Sequence, residues 1–151
     1  KKVQIIENAI KEFKIISGQE PKVALLAALE VVNPDMPETV DAAVICKMAE
    51  RGQIRGAQID GPLALDNIVS VEAAAHKGIE SAVAGHADII IAPDLKTGNV
   101  LHKAIVYLAG YRVASIISGT SSPIVMTSRS DTLESKLLSV ALASISCEIG
   151  K

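Results

Sequence analysis

The stretch Pro123-Ile-Val-Met-Thr-Ser-Arg-Ser-Asp-Thr-Leu-Glu134 contains a complete passage from strand to loop to helix. Its short apolar run, residues 124–126, predicts a buried strand. Asp131 predicts a helix N-cap, and Glu134, three residues later, has the spacing of a capping box. Ser128 and Arg129 would then lie between a strand's carboxyl end and a helix's amino end. Asp131 and Glu134 also fit a purely structural role as caps.

The loop at Ser128 and Arg129 has the character of an anion site. Backbone N–H groups and the helix dipole favour a negative charge at the amino end of a helix. The guanidinium of Arg129 presents a planar set of donors that fits phosphate or carboxylate. A serine and an arginine after a strand are also common in ordinary loops, so the pair alone does not define a function.

The helix predicted after this loop has an apolar face. Residues at helical spacing along it would pack against the core of the domain. The residues of this face are Leu133, Leu137, Val140, Ala141, Ser144 and Ile145.

Strands and helices alternate through the rest of the chain. The pattern predicts helices that cover residues 3–16, 37–52, 70–75 and 100–108. Strands are predicted at residues 23–28, 58–60, 88–92 and 113–117. This alternation is typical of an α/β fold with a mostly parallel sheet, and no clear domain boundary interrupts it.

Loops at the carboxyl ends of parallel strands meet at one edge of the sheet, where ligands bind in open α/β folds. The polar and turn residues predicted at that edge are Asp60, Pro93, Asp94, Gly98, Asn99, Gly119, Thr120, Thr127, Ser128 and Arg129. Asp60 precedes Gly61-Pro62 and fits an ordinary turn equally well. Residues 119–122, Gly-Thr-Ser-Ser, fit either a plain turn or an anion cradle.

Composition excludes several classes of function. The 151 residues suffice for a domain with a sizeable core, and apolar residues make up 49% of them. Two Tyr, one Phe, no Trp and a net charge of −2 disfavour nucleic-acid binding. No apolar run has membrane-spanning length, and no signal peptide is evident. Cys46 and Cys147 are isolated and predict small buried apolar residues in a reducing, cytoplasmic setting.

Several catalytic and metal-binding patterns are missing from the sequence. His76, His86 and His102 have no cysteine or carboxylate at metal-ligand spacing, so no metal site is predicted. Nucleophile elbows, Walker lysine loops and dinucleotide-binding glycine turns are absent.

An ordered set of short motifs nevertheless resembles the phosphate acetyl/butyryltransferase family, most of all its butyryl-transferring members. The matching pieces are Asn33-Pro-Asp-Met-Pro37, Thr39-Val-Asp-Ala42, Asp60-Gly-Pro-Leu-Ala-Leu-Asp66, Ala84-Gly-His-Ala-Asp-Ile89, Pro93-Asp-Leu95, Thr97-Gly-Asn99, Pro123-Ile124 and Thr127-Ser-Arg-Ser-Asp131.

The resemblance implies a three-layer fold like that of isocitrate and isopropylmalate dehydrogenases, with two α/β domains and a cleft between them. It implies a cytoplasmic homo-oligomer, dimeric or larger, that exchanges an acyl group between coenzyme A and inorganic phosphate. Coenzyme A would be a substrate, with no prosthetic group. Residues 1–151 resemble only the second half of the family chain. They would form the second domain together with the final strand and helix that return to the first, and the amino-terminal half would be absent.

Within the resemblance, the family's Ser-Arg pair corresponds to Ser128 and Arg129. Acetyl-specific relatives place an aspartate, proposed as the base for the CoA thiol, where this chain has Ser135, so that assignment does not transfer. Asp131 and Glu134 are nearby carboxylates, and the alternatives are that either or neither of them is the base. Similar domains fused to some malic enzymes sense acyl-CoA without catalysis. That role, and a fragment that only dimerises, are the alternative interpretations.

Overall fold

A computed structural model describes residues 1–149, which form two compact units. Unit 1 comprises Lys1–Gln19 and the chain from Asn99 onward, and unit 2 comprises Glu20–Gly98. The helices and strands, numbered in chain order, are α1 (Lys2–Ser17), β1 (Lys22–Leu26), α2 (Pro37–Glu50), β2 (Gln58–Leu63), α3 (Leu65–Val69), α4 (Val71–His76), β3 (Ile89–Ile91), α5 (Leu95–Tyr107), β4 (Ile116–Ile117), β5 (Ile124–Val125) and α6 (Leu133–Ile149). None of the helices described in residues 1–149 is long and apolar enough to cross a membrane.

Unit 2 is built on a parallel three-stranded sheet in the order β2-β1-β3. The central strand β1 has the continuous apolar sequence expected of a strand covered on both faces, and residues 23–26 are all buried. Ser70 caps α4 as its sequence predicts, because its Oγ accepts from the N–H of Ala73. The fold is therefore α/β with a parallel sheet, as the alternation of elements predicts.

Strand β2 contains a bulge beside β1. Ala24 pairs with Asp60 and Leu26 pairs with Leu63, so Gly61 and Pro62 together stand opposite one residue, Leu25. Gly61 has a φ of 155°, and a Cβ placed on it would lie 2.6 Å from the Cβ of Leu25. The two backbones approach this closely because residue 61 has no side chain.

Unit 1 combines α1, α6 and an antiparallel pair of strands, β4 and β5. Helix α1 ends at Gly18, whose φ of 70° is the left-handed cap conformation that a glycine adopts without strain. Helix α6 packs against α1 and both strands. Unit 1 therefore has a two-stranded sheet of its own.

Two sequence predictions about this region are wrong. The strands at 113–117 and 124–126 were expected in one mostly parallel sheet, whereas β4 and β5 form a separate antiparallel hairpin. The second strand was expected to be buried, but Ile124 is 47% and Met126 is 64% exposed. The six-residue connection, 118–123, is too short for the crossover that a parallel pair needs, so the chain turns back on itself.

Candidate functional site

The loop between β5 and α6, residues 126–132, is organised by a turn around Ser128 and Asp131. The N–H of Ser128 donates to Oδ2 of Asp131 at 2.6 Å, and the N–H of Asp131 donates to the carbonyl of Ser128 at 3.1 Å. The carboxylate of Asp131 is thus turned back onto the loop. The prediction that Asp131 is the N-cap of the helix is wrong.

Thr132 occupies the N-cap position instead. Its Oγ1 accepts from the N–H of Ser135 at 3.1 Å, three residues later, and α6 begins at Leu133. Glu134 does not reach back to the cap; its Oε1 accepts from Nη1 of Arg112 at 2.9 Å. Glu134, at the predicted capping-box position, is therefore the ion-pair partner of Arg112, which precedes β4 in the chain.

Thr132→Ala should destabilise the chain by about 1 kcal/mol, because it removes the side-chain acceptor at the start of α6. Thermal or urea unfolding followed by circular dichroism measures this loss. The control is Asp131→Asn, which keeps an oxygen for the N–H of Ser128 and should leave stability nearly unchanged. A loss of stability in Asp131→Asn without a loss in Thr132→Ala would show instead that Asp131 caps α6.

A chain of hydroxyl groups connects this loop to the end of α5. The Oη of Tyr107 donates to Oγ of Ser130 at 3.0 Å, and Oγ of Ser130 lies 3.0 Å from Oγ of Ser128. The ammonium of Lys103 lies 5.4 Å from the centroid of the Tyr107 ring. Sequence analysis missed Tyr107, since nothing in its local pattern indicates that its hydroxyl reaches a loop 23 residues further along the chain.

A shallow groove of about 370 Å³ runs along α5 beside Tyr107. Asn99 lines it together with Lys103 and apolar side chains. Asn99 was predicted in a loop, but it lies inside α5, which begins at Leu95 rather than at Val100. Its placement keeps it beside the residues that contact the 126–132 loop.

Arg129 is the exposed cation of this loop. Within residues 1–149 its guanidinium has no hydrogen-bond or ion-pair partner, whereas Arg112 is held by Glu134. A guanidinium in this state can receive a phosphate or carboxylate without first breaking an internal contact. Arg129 and Ser128 occupy the predicted place between β5 and α6, and Thr127 precedes them directly.

Gly119 and Thr120 lie elsewhere in unit 1. Because β4 and β5 are antiparallel, the turn that contains these two residues is at one end of the hairpin and Ser128 is at the other. The turn lines a separate cavity of about 370 Å³. The prediction that all the strand-end residues share one edge is therefore wrong for Gly119 and Thr120.

A carboxylate forms one wall of that second cavity. Glu12 of α1 accepts from Oγ of Ser118 and from Oγ of Ser146, each at 2.6 Å. Its negative charge opposes the anion-cradle interpretation of the turn, although Lys11 also lines the cavity. The structure therefore favours the plain-turn alternative for residues 119–122.

The remaining predicted residues lie in unit 2 or at its end. Asp60 is inside β2, three residues before the strand ends at Leu63, so its predicted position at a strand's carboxyl end is wrong. Pro93 and Asp94 do follow the carboxyl end of β3. Gly98 lies inside α5 rather than in a loop.

Asp94 caps α5. Its Oδ1 accepts from the N–H of Thr97 at 2.9 Å, and this hydrogen bond lowers the pKa of the carboxyl below its usual value. The cap explains why the helix begins at Leu95, earlier than predicted. The signal was present in the sequence as Asp94-Leu-Lys-Thr97, but the glycine at position 98 suggested a loop.

Unit 2 also contains a charged cluster that sequence analysis did not assemble. The ammonium of Lys77 lies 3.1 Å from Oδ2 of Asp66 and 3.2 Å from Oε2 of Glu30. The same Glu30 oxygen accepts from the buried amide of Asn67 at 3.2 Å. The pKa of Asp66 is lowered and that of Lys77 is raised, mainly by their mutual hydrogen bond. The cluster joins the loop after β1 to α3 and the end of α4.

The two cysteines differ from each other in exposure. Cys46 is half-buried and donates from Sγ to the carbonyl of Gly61 at 3.3 Å, whereas Cys147 is exposed. The prediction of a small buried residue is therefore wrong for Cys147. Burial, followed by the charges of Asp60 and Glu50, raises the pKa of Cys46 to about 12.

At pH 8, iodoacetamide should alkylate Cys147 and leave Cys46 unmodified. A thiol with a pKa of about 12 is protonated at that pH, and only the thiolate attacks the reagent. Peptide mass spectrometry distinguishes the two positions. Equal labelling of the native chain would contradict the raised pKa, and labelling in urea controls for intrinsic reactivity.

No group of three or more His, Cys, Asp or Glu side chains in the described part of the chain is arranged to hold a metal ion. The described site thus consists of hydroxyl groups, Arg129 and the carboxylate of Asp131.

Comparisons with known proteins agree with this description. The model of the phosphate acetyl/butaryl transferase family matches residues 1–144. A phosphate acetyltransferase of Thermotoga maritima is 51% identical over 144 residues, which are 95% of this chain and 49% of that protein. A phosphate butyryltransferase of Clostridium acetobutylicum is 49% identical over 144 residues, 95% of this chain and 48% of that protein.

A solved structure supports the same relation. The branched-chain phosphotransacylase of Enterococcus faecalis V583 has a TM-score of 0.87 and 37% identity, and the similarity covers 97% of this chain and 52% of that one. The chain thus spans about half the length of the relatives that it matches. The alternation of strands and helices, the ordered motifs and these matches lead to one conclusion: the chain belongs to the phosphate acetyl/butaryl transferase family.

Proposed function

We propose that this chain is part of a phosphate acyltransferase that converts acyl-CoA and inorganic phosphate into an acyl phosphate and free CoA. The observation that supports this function best is the unpaired, exposed guanidinium of Arg129 beside Ser128 at the amino end of α6. Relatives bearing the names phosphate acetyltransferase and phosphate butyryltransferase match the same region of the chain.

In the proposed reaction a phosphate oxygen attacks the thioester carbonyl carbon. The carbonyl electron pair moves onto oxygen, and when the tetrahedral intermediate collapses, the carbon–sulfur bond breaks and CoA leaves as a thiolate that takes up a proton. Arg129 holds the phosphate or the thiolate through charge-assisted hydrogen bonds. Ser128 donates to the oxyanion, and one such donor contributes about 3 kcal/mol to stabilising the transition state.

The reverse direction needs a base for the thiol of CoA. Asp131 is the better candidate of the two carboxylates, since only its Oδ2 has a described partner, the N–H of Ser128. Glu134 is occupied by its contact with Arg112, whose Nη1 lies 2.9 Å from Oε1 of Glu134. Thr127 and Asn99 belong to the substrate-binding surface in this proposal, and Gly119 and Thr120 do not.

The wider assignment follows the family resemblance. The complete protein would be a cytoplasmic homo-oligomer, dimeric or larger, with the two-domain architecture of isocitrate and isopropylmalate dehydrogenases. Unit 2 would be its second domain, and β5 and α6 would return to the first. Coenzyme A would act only as a substrate. Asp60, Pro93, Asp94 and Gly98 are proposed as the substrate-binding residues of unit 2.

The acyl group is proposed to be short, of butyryl type. An acetyltransferase and a butyryltransferase match this chain at 51% and 49% identity, so the comparisons are consistent with either an acetyl or a butyryl group.

A chimera tests the proposed function. Residues 1–144 of this chain would replace the matched 144 residues of the Thermotoga maritima phosphate acetyltransferase. We expect phosphate-dependent release of CoA from acyl-CoA, with a higher ratio of butyryl-CoA to acetyl-CoA turnover than in the parent enzyme. A folded chimera that binds CoA but releases none would contradict the transferase assignment. An unchanged acyl ratio would contradict the butyryl preference alone.

A further inference from the structure

The hydroxyl hydrogen of Ser128 must be free for the substrate if this serine is to donate to the oxyanion of the proposed reaction. A serine hydroxyl has one hydrogen and two lone pairs. Oγ of Ser130 lies 3.0 Å from Oγ of Ser128, and either oxygen can be the donor in that hydrogen bond. If Ser128 donates, the substrate has to compete with Ser130 for the hydrogen. The direction of this one hydrogen bond therefore decides whether Ser128 is available.

Ser130 can supply donors to both lone pairs of Ser128. Its N–H donates to Oγ of Ser128 in a long hydrogen bond of 3.4 Å, and its hydroxyl lies at 3.0 Å from the same atom. The N–H of Ser128 is used separately, on the carboxylate of Asp131. When Ser130 donates from both groups, the oxygen of Ser128 is fully used as an acceptor, and its hydrogen is left for a group outside the loop.

Tyr107 favours this direction. Its hydroxyl donates to Oγ of Ser130 at 3.0 Å. A hydroxyl group that already accepts one hydrogen bond is polarised by it, which makes it a stronger donor and a weaker second acceptor. Ser130 is thereby favoured as the donor to Ser128, and the reverse direction is disfavoured.

The side chain of Tyr107 is itself held from α5. Lys103 lies one helical turn before it, and the ammonium of Lys103 is 5.4 Å from the centroid of the tyrosine ring. The attraction between a cation and the face of an aromatic ring favours this placement of the ring. All of these residues belong to unit 1, so the arrangement lies within one compact unit.

We propose that Tyr107 is a positioning residue, which acts through Ser130 to keep the hydroxyl hydrogen of Ser128 directed at the substrate oxyanion. The proposal rests on the proposed acyl transfer, in which Ser128 is that donor. Tyr107 contacts no reacting atom, and no proton is transferred, since each of the three hydroxyl groups keeps its own hydrogen. We call Tyr107, Ser130 and Ser128 the hydroxyl series.

A purely structural role for the contact would appear in stability rather than in turnover. Tyr107 is 57% exposed and Ser130 is exposed, so water competes for the hydrogen bond between them. A hydrogen bond of this kind adds little to the net stability of a protein. Loss of the tyrosine hydroxyl should therefore leave folding unchanged and affect the reaction.

The first test is Tyr107→Phe in the chimera in which residues 1–144 replace the matched part of the Thermotoga maritima enzyme. We expect kcat to fall about tenfold, less than the roughly 10²–10³ that follows outright removal of an oxyanion donor. The KM values for phosphate and acyl-CoA and the midpoint of thermal unfolding should not change, because Ser128 donates most strongly in the transition state. Ser130→Ala interrupts the same hydroxyl series and should have the same effect.

Tyr111→Phe is the matched control. Tyr111 is 69% exposed, and within residues 1–149 its hydroxyl has no described hydrogen-bond partner. The same loss of a tyrosine hydroxyl, four positions further along the chain, should therefore leave kcat, KM and the unfolding midpoint unchanged.

A double substitution tests whether Tyr107 acts through Ser128. In a chimera that already carries Ser128→Ala, Tyr107→Phe should lower kcat no further, because the hydroxyl that it positions is gone. If the two effects on kcat multiply in full, Tyr107 acts independently of Ser128 and the proposal is wrong.

A measurement on the isolated 151-residue chain does not depend on activity. In amide NMR spectra, Tyr107→Phe should shift the signals of Ser128 and Ser130, since their hydrogen bonds change with the hydroxyl series. Tyr111→Phe should leave both signals in place. Unmoved signals in Tyr107→Phe would show that the series does not extend to the tyrosine, and the proposal would fail on that result alone.

The kinetic outcomes separate this proposal from the proposed function. A folded chimera that binds CoA but releases none would contradict the proposed function, and the role of Tyr107 with it. An active chimera in which Tyr107→Phe leaves kcat unchanged would overturn the role of Tyr107 alone. A raised KM with an unchanged kcat would also overturn it, because Tyr107 would then bind the substrate directly.

Discussion

Assayed alone with butyryl-CoA and phosphate, the 151-residue chain is expected to release no measurable CoA, and the chimera with the Thermotoga maritima enzyme is expected to release it. The first reason is exposure. Ser128, Arg129 and Ser130 are all exposed in this chain, and hydrogen-bond donors stabilise a developing charge far less in water than in a closed site. The second reason is charge, because residues 127–132 contain one cation, Arg129, to receive a phosphate dianion.

The expected loss of turnover in the isolated chain, relative to the chimera, is large. Reactants held in near-attack geometry gain on the order of 10⁵ or more in effective concentration, and a site open on one side forfeits most of that gain. The assay measures CoA release with a thiol reagent, with and without phosphate, and adds the remainder of the Thermotoga maritima enzyme in trans as a further condition. Turnover by the isolated chain at the rate of the chimera would show that the site is complete within these 151 residues.

Arg129 should account for the second large effect. In the chimera, Arg129→Ala is expected to lower kcat/KM for phosphate by about 100-fold, because it removes a charge-assisted, two-pronged contact in the transition state. Arg129→Lys keeps the positive charge and loses the planar fork, so its kcat/KM should lie between those of the unsubstituted chimera and of Arg129→Ala. Initial rates over a range of phosphate concentrations separate the change in KM from the change in kcat.

The control for Arg129 is Arg51→Ala. Arg51 is also an exposed arginine, but it lies at the end of α2 in unit 2, and its substitution should change neither constant appreciably. Unchanged kcat and KM in Arg129→Ala would remove Arg129 from the site and with it the main support for the proposed function.

The sequence was a good guide to the parallel sheet of unit 2. Strand β1 has a continuous apolar run, Pro37 opens α2 and Ser70 caps α4, and each of these signals depends on neighbouring residues alone. Family membership was likewise recognisable from motifs in their order. These features share one property, which is that the residues responsible for each of them lie within a short window of the sequence.

Predictions that depended on contacts between distant residues succeeded less often. The direction of β5 relative to β4 decides whether Gly119 and Ser128 are neighbours, and only the short turn between the strands indicates it. The side chain of Asp131 accepts from the loop N–H of Ser128, and the start of α6 is capped by Thr132 instead. Tyr107 joined the site through a hydroxyl contact that has no sequence signature.

The apolar face predicted for α6 shows a different limit. The periodicity of Leu133, Leu137 and Val140 correctly identified one helical face, but the prediction that this face packs against the core is wrong, because all three side chains are more than half exposed. A hydrophobic pattern records burial in the complete folded protein. In residues 1–149 the pattern therefore located the apolar face of α6 without determining whether that face is buried.

The bulge at Gly61 also changes what the motif Asp60-Gly-Pro-Leu-Ala-Leu-Asp66 signifies. Its glycine is required because a Cβ at position 61 would lie 2.6 Å from the Cβ of Leu25, and this requirement exists whether or not the protein binds a substrate. A motif that helped to place the chain in its family is thus partly a signature of strand packing. Selection for folding alone would preserve Gly61 in a descendant that had lost every catalytic group, so the motif identifies ancestry more securely than it identifies activity.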